Sequence, residues 1–202
     1  MTREKAQTVN EPNFLLVGVG GQGTILASNI LADLGLASGY EVKKSEVHGM
    51  AQRGGSVTSH IRWGRQVFSP IIGAGEEDVL LAFEKLEALR YAEFLRPGGL
   101  ALVAEHAIPP VAVSVGNDTY PEDGRLQRVL DEVQAQVCSV PTMAIARELG
   151  NARAHNLVML GALSRWLEAP METWAEVIAR WVPARHLELN QRAFQRGRAL
   201  DL

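Results

Sequence analysis

The chain has 202 residues, 47% hydrophobic and 21% charged, with a formal net charge of −3. That suits one medium domain able to bury its own core, and the slightly acidic balance argues against a general nucleic-acid binder. Its single cysteine, Cys138, excludes an internal disulfide and any cysteine-ligated zinc or iron–sulfur site made by this chain alone, and no stretch reaches the roughly 18–20 apolar residues of a membrane helix.

Residues 1–12 are polar, lack an apolar signal core and read as a flexible leader, which points to a cytoplasmic location. Asn13 to Val19 is an apolar run of strand length that enters a Gly-x-Gly-x-x-Gly turn at Gly18, Gly20 and Gly23. A helix is expected from about Gln22 to Ala37, with Ile25, Leu26, Ile30, Leu31 and Leu34 on one stripe and Ser38-Gly39 at its end. Val42 to Val47 reads as a second strand, and the intervening helix predicts a right-handed βαβ unit. After an unusual loop from His48 to Gly55, Ser56 to Trp63 alternates as a half-exposed strand, with Gln66 to Ile72 expected to pair back on it as a hairpin.

Further along, Asp78–Glu84 reads as a buried strand, Lys85–Phe94 as a helix ended by Arg96-Pro97-Gly98-Gly99, and Leu100–Ala104 as a short strand. The stretch 108–119 reads as an irregular connection with room for one short strand. Gly124–Val133 is a helix and Ala135–Val140 the last strand. Helices are then expected over Pro141–Leu149, Ala154–Leu167, Met171–Trp181 and Ala184–Arg198. Apolar runs alternating with helices predict an α/β, Rossmann-like fold: a mostly parallel sheet flanked by helices, with a β-hairpin insertion and a helical C-terminal segment. The expected units are the leader 1–12, a domain over 13–168 and a helical extension over 169–202.

Strand, glycine turn and helix, in that order, form the context of a phosphate-binding βα unit, where free N–H groups at the helix start suit an anion. A dinucleotide site also wants an acidic residue at the end of strand two. Glu41 lies at about the right distance but starts that strand, whose end offers Lys43, Lys44, Ser45 and Glu46; the lysines suit a phosphate better than a ribose hydroxyl pair. The His48–Gly55 loop should lie at the same carboxyl edge, with Arg53, Gly54 and Gly55 offering a guanidinium beside exposed N–H groups. Arg53 could instead hold its own loop, and His48 is more readily a structural hydrogen-bonder than an acid–base group. No catalytic set emerges. The serines form no nucleophile elbow, and the five histidines never fall at metal-ligand spacing on one element. Cys138 reads as an inert core residue, Asn156 as a cap or hydrogen-bonder, and Trp166, Trp174 and Trp181 as packing residues or partner anchors.

Val17-Gly18-Val19-Gly20-Gly21-Gln22-Gly23-Thr24 resembles the opening of the gamma-type domain of 2-oxoacid:ferredoxin oxidoreductases. Glu46-Val47-His48-Gly49-Met50-Ala51-Gln52-Arg53-Gly54-Gly55-Ser56-Val57 is similar to the version in indolepyruvate ferredoxin oxidoreductase beta subunits. The likeness extends over about Asn13 to Leu163 and includes Asn156 and Gly161. It implies a non-redox subunit of an enzyme that oxidatively decarboxylates aryl pyruvates to acyl-CoA. It further implies that thiamine diphosphate, magnesium and iron–sulfur clusters reside in a larger partner subunit, through which ferredoxin is reached, with no cofactor bound by this chain alone. Coenzyme A is the implied co-substrate. The implied binding residues are Gly18, Gly20, Gly21, Gln22, Gly23 and Thr24 in the first loop, and His48, Gly49, Gln52, Arg53, Gly54 and Gly55 in the second. A homodimer stays open; no nucleic-acid or membrane partner is expected. The charged segment from Pro170 to Leu202 departs from the pattern and reads as a docking arm or a helical cap. The competing readings are a stand-alone dinucleotide- or nucleotide-binding α/β protein, and a homo-oligomeric scaffold whose glycine loops make only subunit contacts.

Overall fold

The structure, a computed structural model, describes residues 11–48 and 55–202. Six strands form one sheet: β1 (Asn13–Val19), β2 (Glu41–His48), β3 (Ser56–Gly64), β4 (Glu77–Ala82), β5 (Leu95–Ala104) and β6 (Gln136–Val140), in the order β2-β3-β1-β4-β5-β6. β1, β4, β5 and β6 run parallel, while β3 is antiparallel to both β1 and β2. Among the described residues eight α-helices flank the sheet: α1 (Thr24–Ala37), α2 (Lys85–Tyr91), α3 (Val111–Ser114), α4 (Asp123–Glu132), α5 (Thr142–Glu148), α6 (His155–Leu163), α7 (Met171–Trp181) and α8 (Ala184–Arg198).

The central strand explains the two-sided core. Phe14 and Leu16 face a cluster built with Ile30, Leu31 and Leu34 of α1 and with α6 to α8. Leu15 and Val17 face a smaller cluster with Ala88 of α2 and Leu130 of α4. A strand covered on both faces needs continuous rather than alternating apolar residues, which is why β1 reads as an unbroken run.

Two strand pairings differ from the sequence expectation. β1 and β2 point the same way, but β3 lies between them, so they are not adjacent partners. The antiparallel partner of β2 is β3, and Gln66 to Ile72 forms no strand. Both edges of β3 are already occupied, so 66–72 cannot pair back on it. Val67 and Ile72 are buried from that segment, while Phe68 and Ile71 are exposed. Within 108–119 the regular element is the one-turn helix α3, not a strand. β5 begins at Leu95 and incorporates Pro97-Gly98-Gly99, with a register shift against β4 between Glu77 and Val79.

All nine residues of α6 are buried, because it is covered by the sheet on one side and α8 on another. Gly161 and Gly197 permit that approach: a Cβ on Gly161 would sit 2.0 Å from Phe194 O, and one on Gly197 2.0 Å from Val158 O. Arg198 closes the end of α6, donating to Ser164 O at 3.0 Å and Ser164 Oγ at 2.9 Å. The charged C-terminal segment therefore contributes to the main core, with Trp174 and Phe194 packed at 4.9 Å between ring centroids. Trp166 is buried too, whereas Trp181 is partly exposed and donates to Asp33 Oδ2 at 2.8 Å. Among the described residues no helix is long and apolar enough to cross a membrane.

Candidate functional site

Because β1, β4 and β5 are parallel, their carboxyl ends meet at one edge, where the glycine turn leaves β1. Van der Waals space sets the sequence of that turn. A Cβ on Gly18 would lie 2.9 Å from both Gln22 Oε1 and Thr24 Cγ2 and 3.1 Å from Phe83 Cβ. Gly23 has φ 77°, and its Cβ would lie 2.4 Å from Asn156 Nδ2. Side chains are excluded at both positions, at Gly23 also by its left-handed backbone.

Gln22 turns inward. Its Oε1 accepts from Val19 N at 2.7 Å and its Nε2 donates to Phe83 O at 2.7 Å, so one buried amide ties the end of β1 to the end of β4. Its own backbone N–H donates to Val19 O at 3.1 Å. The side chain expected to face a ligand is thus committed to holding the turn. Asn156, in the first turn of α6, also reaches the loop: Nδ2 donates to Gly23 O at 3.3 Å, and Oδ1 accepts from Leu157 N at 2.9 Å. α1 starts with no capping side chain and no acidic residue in its first turn, leaving the positive end of its dipole unneutralised by its own residues.

The two predicted loops do meet. Gly20 N donates to Gly55 O at 2.9 Å, and Val19 pairs with Ser56 at the end of the β1–β3 ladder. His48 is the last residue of β2, paired with Val57. Gly49, Gln52, Arg53 and Gly54 lie outside the described residues.

The lysines of strand two, which suit a phosphate better than a ribose hydroxyl pair, have partners within the chain. Lys44 Nζ lies 2.7 Å from Glu46 Oε1 and also donates to Asn29 Oδ1, while Ser28 Oγ donates to the same Glu46 oxygen at 3.1 Å. Lys43 Nζ lies 3.4 Å from Glu41 Oε1. Neighbouring carboxylates answer both ammonium groups, and the Lys44–Glu46 pair fastens β2 to α1. Glu41 starts β2 and accepts from Val67 N at 3.2 Å.

Sequence reasoning missed several residues at this edge. Glu84, buried just past β4, accepts from Glu87 N at 3.0 Å, capping α2. Its other oxygen accepts from Ile108 N at 2.9 Å and from the Tyr120 hydroxyl at 2.5 Å. Glu87, also buried, accepts from Ser56 Oγ at 2.5 Å and from Arg90 Nη1 at 2.6 Å, anchoring the start of β3 to α2. A Glu-x-x-Glu directly after an apolar strand was the available signal, since acidic groups favour a helix start. His155 lies edge-on to Phe83 at 6.0 Å between ring centroids. Burial, with His106 nearby as a lesser cause, pushes its imidazole down to about 4, against a hydrogen bond with the Gln22 backbone that acts the other way. It is a neutral packing histidine.

Beside the turn, an open groove runs between Leu26 of α1 and the start of α8, lined also by Arg153, Val182, Pro183, His186 and Asn190. Among the described residues no group of three or more His, Cys, Asp or Glu side chains could hold a metal ion. Cys138 is buried in β6, and burial raises its thiol above the usual range. A glycine-rich helix start of this kind is physically suited to an anion.

Residues 13–200 match the sequence profile of the pyruvate ferredoxin/flavodoxin oxidoreductase family. The chain is 40% identical to indolepyruvate oxidoreductase subunit IorB of Thermococcus kodakarensis over 192 residues, 94% of this chain and 95% of that protein. Among solved structures it is similar to the 2-oxoglutarate:ferredoxin oxidoreductase of Magnetococcus marinus, solved with 2-oxoglutarate, coenzyme A and succinyl-CoA bound. There the TM-score is 0.73 at 21% identity, covering 95% of this chain and 31% of that one. Pyruvate oxidoreductase subunit PORC of Thermotoga maritima gives a TM-score of 0.69 at 23% identity, covering 94% and 96% of the two chains. Both structures speak to the fold.

Proposed function

Because the chain belongs to the pyruvate ferredoxin/flavodoxin oxidoreductase family, we propose that it is the non-redox subunit of a 2-oxoacid:ferredoxin oxidoreductase acting on indolepyruvate or related aryl pyruvates. The near full-length likeness to subunit IorB carries this reading. In it a larger partner subunit holds thiamine diphosphate, magnesium and the iron–sulfur clusters, and passes electrons to ferredoxin in the cytoplasm. That division suits a chain with a single cysteine, since clusters are held by sets of several cysteine thiolates. Thiamine diphosphate supplies the decarboxylation chemistry; this chain closes the entrance of the site and orients coenzyme A.

For coenzyme A the relevant groups are the N–H groups of Gly21, Gly23 and Thr24 at the start of α1; His48, Arg53 and Gly55 of the second loop are the further contacts in this proposal. Phosphate at a glycine-rich helix start combines backbone donors with the helix dipole. The groove carrying Arg153 and His186 leaves room beside the turn for the rest of a nucleotide. The dinucleotide reading is weaker. β3 displaces the end of β2 from β1 by about 4.8 Å of strand spacing, and Glu46 there is already bonded to Lys44.

The test is reconstitution. The purified chain is expected to be inactive alone, to co-elute with the larger thiamine-binding subunit, and to restore 2-oxoacid- and coenzyme A-dependent reduction of ferredoxin or a viologen dye. Activity without the larger subunit, or no complex with it, would refute the reading. Tight NAD(P) or flavin binding by the isolated chain would favour the dinucleotide alternative.

A further inference from the structure

We propose that Gln22 and Asn156 are positioning residues: a two-sided amide clamp that holds the glycine turn in its anion-receiving shape. This rests on the reading just given, in which the turn receives coenzyme A.

Four observations carry it. Gln22 commits both ends of its side-chain amide to protein, with bonds of 2.7 Å to Val19 N and Phe83 O, and its backbone N–H bonds Val19 O. Asn156 arrives from α6, 133 residues away in sequence, and bonds Gly23 O. Its Nδ2 occupies the space a Gly23 side chain would need, so clamp and glycine are fitted to each other. The clamped turn also bonds the second loop through Gly20 N and Gly55 O, so its shape is shared with the neighbouring wall.

The physical consequence is preorganisation. A loop with φ of 103° at Gly21 and 77° at Gly23 has many alternatives as an isolated glycine segment. Fixing it before the ligand arrives removes an ordering cost that binding would otherwise bear. Gln22 holds the turn from the β1–β4 side and Asn156 from the α6 side. Neither needs to touch the ligand; both act through the direction of the Gly21, Gly23 and Thr24 N–H groups.

The experiment uses the reconstituted complex and compares KM for coenzyme A, KM for the 2-oxoacid and kcat. Gln22→Leu keeps the bulk and loses both side-chain bonds; Gln22→Glu keeps the acceptor for Val19 N and loses the donor to Phe83 O. Asn156→Asp keeps the acceptor for Leu157 N and loses the donor to Gly23 O. The expected result is a rise of roughly tenfold in KM for coenzyme A, from the loss of one or two buried hydrogen bonds. KM for the 2-oxoacid and kcat at saturating coenzyme A should stay near wild type, with the complex intact on gel filtration. Gln22→Asn, one methylene shorter, should fall between Gln22→Leu and wild type.

Three results overturn the clamp: an unchanged KM for coenzyme A in a folded complex, an equal rise in both KM values, or losses that simply follow the melting temperature. Should Gln22→Leu fail to fold, the Gln22→Glu and Asn156→Asp pair decides on the same criteria. A wild-type complex without coenzyme A-dependent activity defeats the functional reading instead, so the two failures are distinct.

Discussion

Replacing Gly161 by alanine places a methyl group where the backbone of α8 already lies. The new Cβ would be 2.0 Å from Phe194 O, 2.8 Å from Phe194 C and 2.9 Å from Arg198 N, where ordinary contact begins at 3.4 Å. Relief along that direction means separating α6 and α8 by about 1.4 Å, and all nine residues of α6 are buried, so the helix has nowhere to move freely. Overpacking of a core costs about 1–3 kcal/mol, and here the parting also loosens Trp174 against Phe194. Against this stands a gain of up to about 1 kcal/mol from alanine's helix propensity, too small to win against backbone atoms. A net loss of about 1–2 kcal/mol corresponds to a melting temperature lower by roughly 2–8 °C for a chain of this size.

Gly124→Ala supplies the opposite sign. It lies exposed on α4, and its Cβ would approach only Arg128 Nη1, at 3.2 Å, the far end of a flexible side chain. There helix propensity dominates, and the melting temperature should rise by about 2–4 °C. Thermal unfolding followed by circular dichroism or calorimetry reads both variants. A Gly161→Ala protein that melts with wild type, or two shifts of the same sign, would refute the account of the α6–α8 crossing.

Other groups give further expectations. His155, with a folded pKa of about 4 against 6.5 unfolded, is neutral in both states above the unfolded value and contributes no pH dependence there. As pH falls from 6.5 toward 4 the unfolded chain takes up the proton first, costing up to about 3 kcal/mol of stability; urea titrations of His155→Gln should show a flatter acid limb. Glu77 behaves oppositely: burial, with Asp78 as a lesser cause, raises its carboxyl well above normal despite the hydrogen bond from Leu15 N at 2.9 Å. Its contribution is full at low pH and is lost as pH rises through the folded pKa. Glu77→Gln, which keeps an acceptor for Leu15 N, should therefore lose less stability than wild type as pH rises from the ordinary carboxylate range toward the raised folded pKa. Cys138, buried with a raised thiol pKa, should react with a thiol reagent far more slowly in the native protein than in urea; equal rates would contradict its placement in β6.

Local signals were legible where a single element carries its own chemistry. The apolar run of β1 needs burial on both faces, the glycine spacing needs the tight turn, and the apolar periodicities of α7 and α8 match their observed limits, Met171–Trp181 and Ala184–Arg198. Pairing was less legible, because a strand's partners depend on which edges remain open. Ser56–Gly64 reads as a strand from its residues alone, but nothing local says that β1 and β2 take both of its edges, so that 66–72 cannot pair back on it.

The glycine turn divides in the same way. Sequence alone determined its composition, its place between strand and helix, and its family likeness, since these follow from short-range spacing. Tertiary structure decided what its residues do. Gln22 faces inward because the end of β4 presents Phe83 O to it, and Gly23 must be glycine because Asn156 arrives from 133 residues away. The strand-two lysines are matched because α1 and β2 bring Asn29, Lys44 and Glu46 together. Those roles depend on contacts between distant segments, which only packing of the folded chain creates.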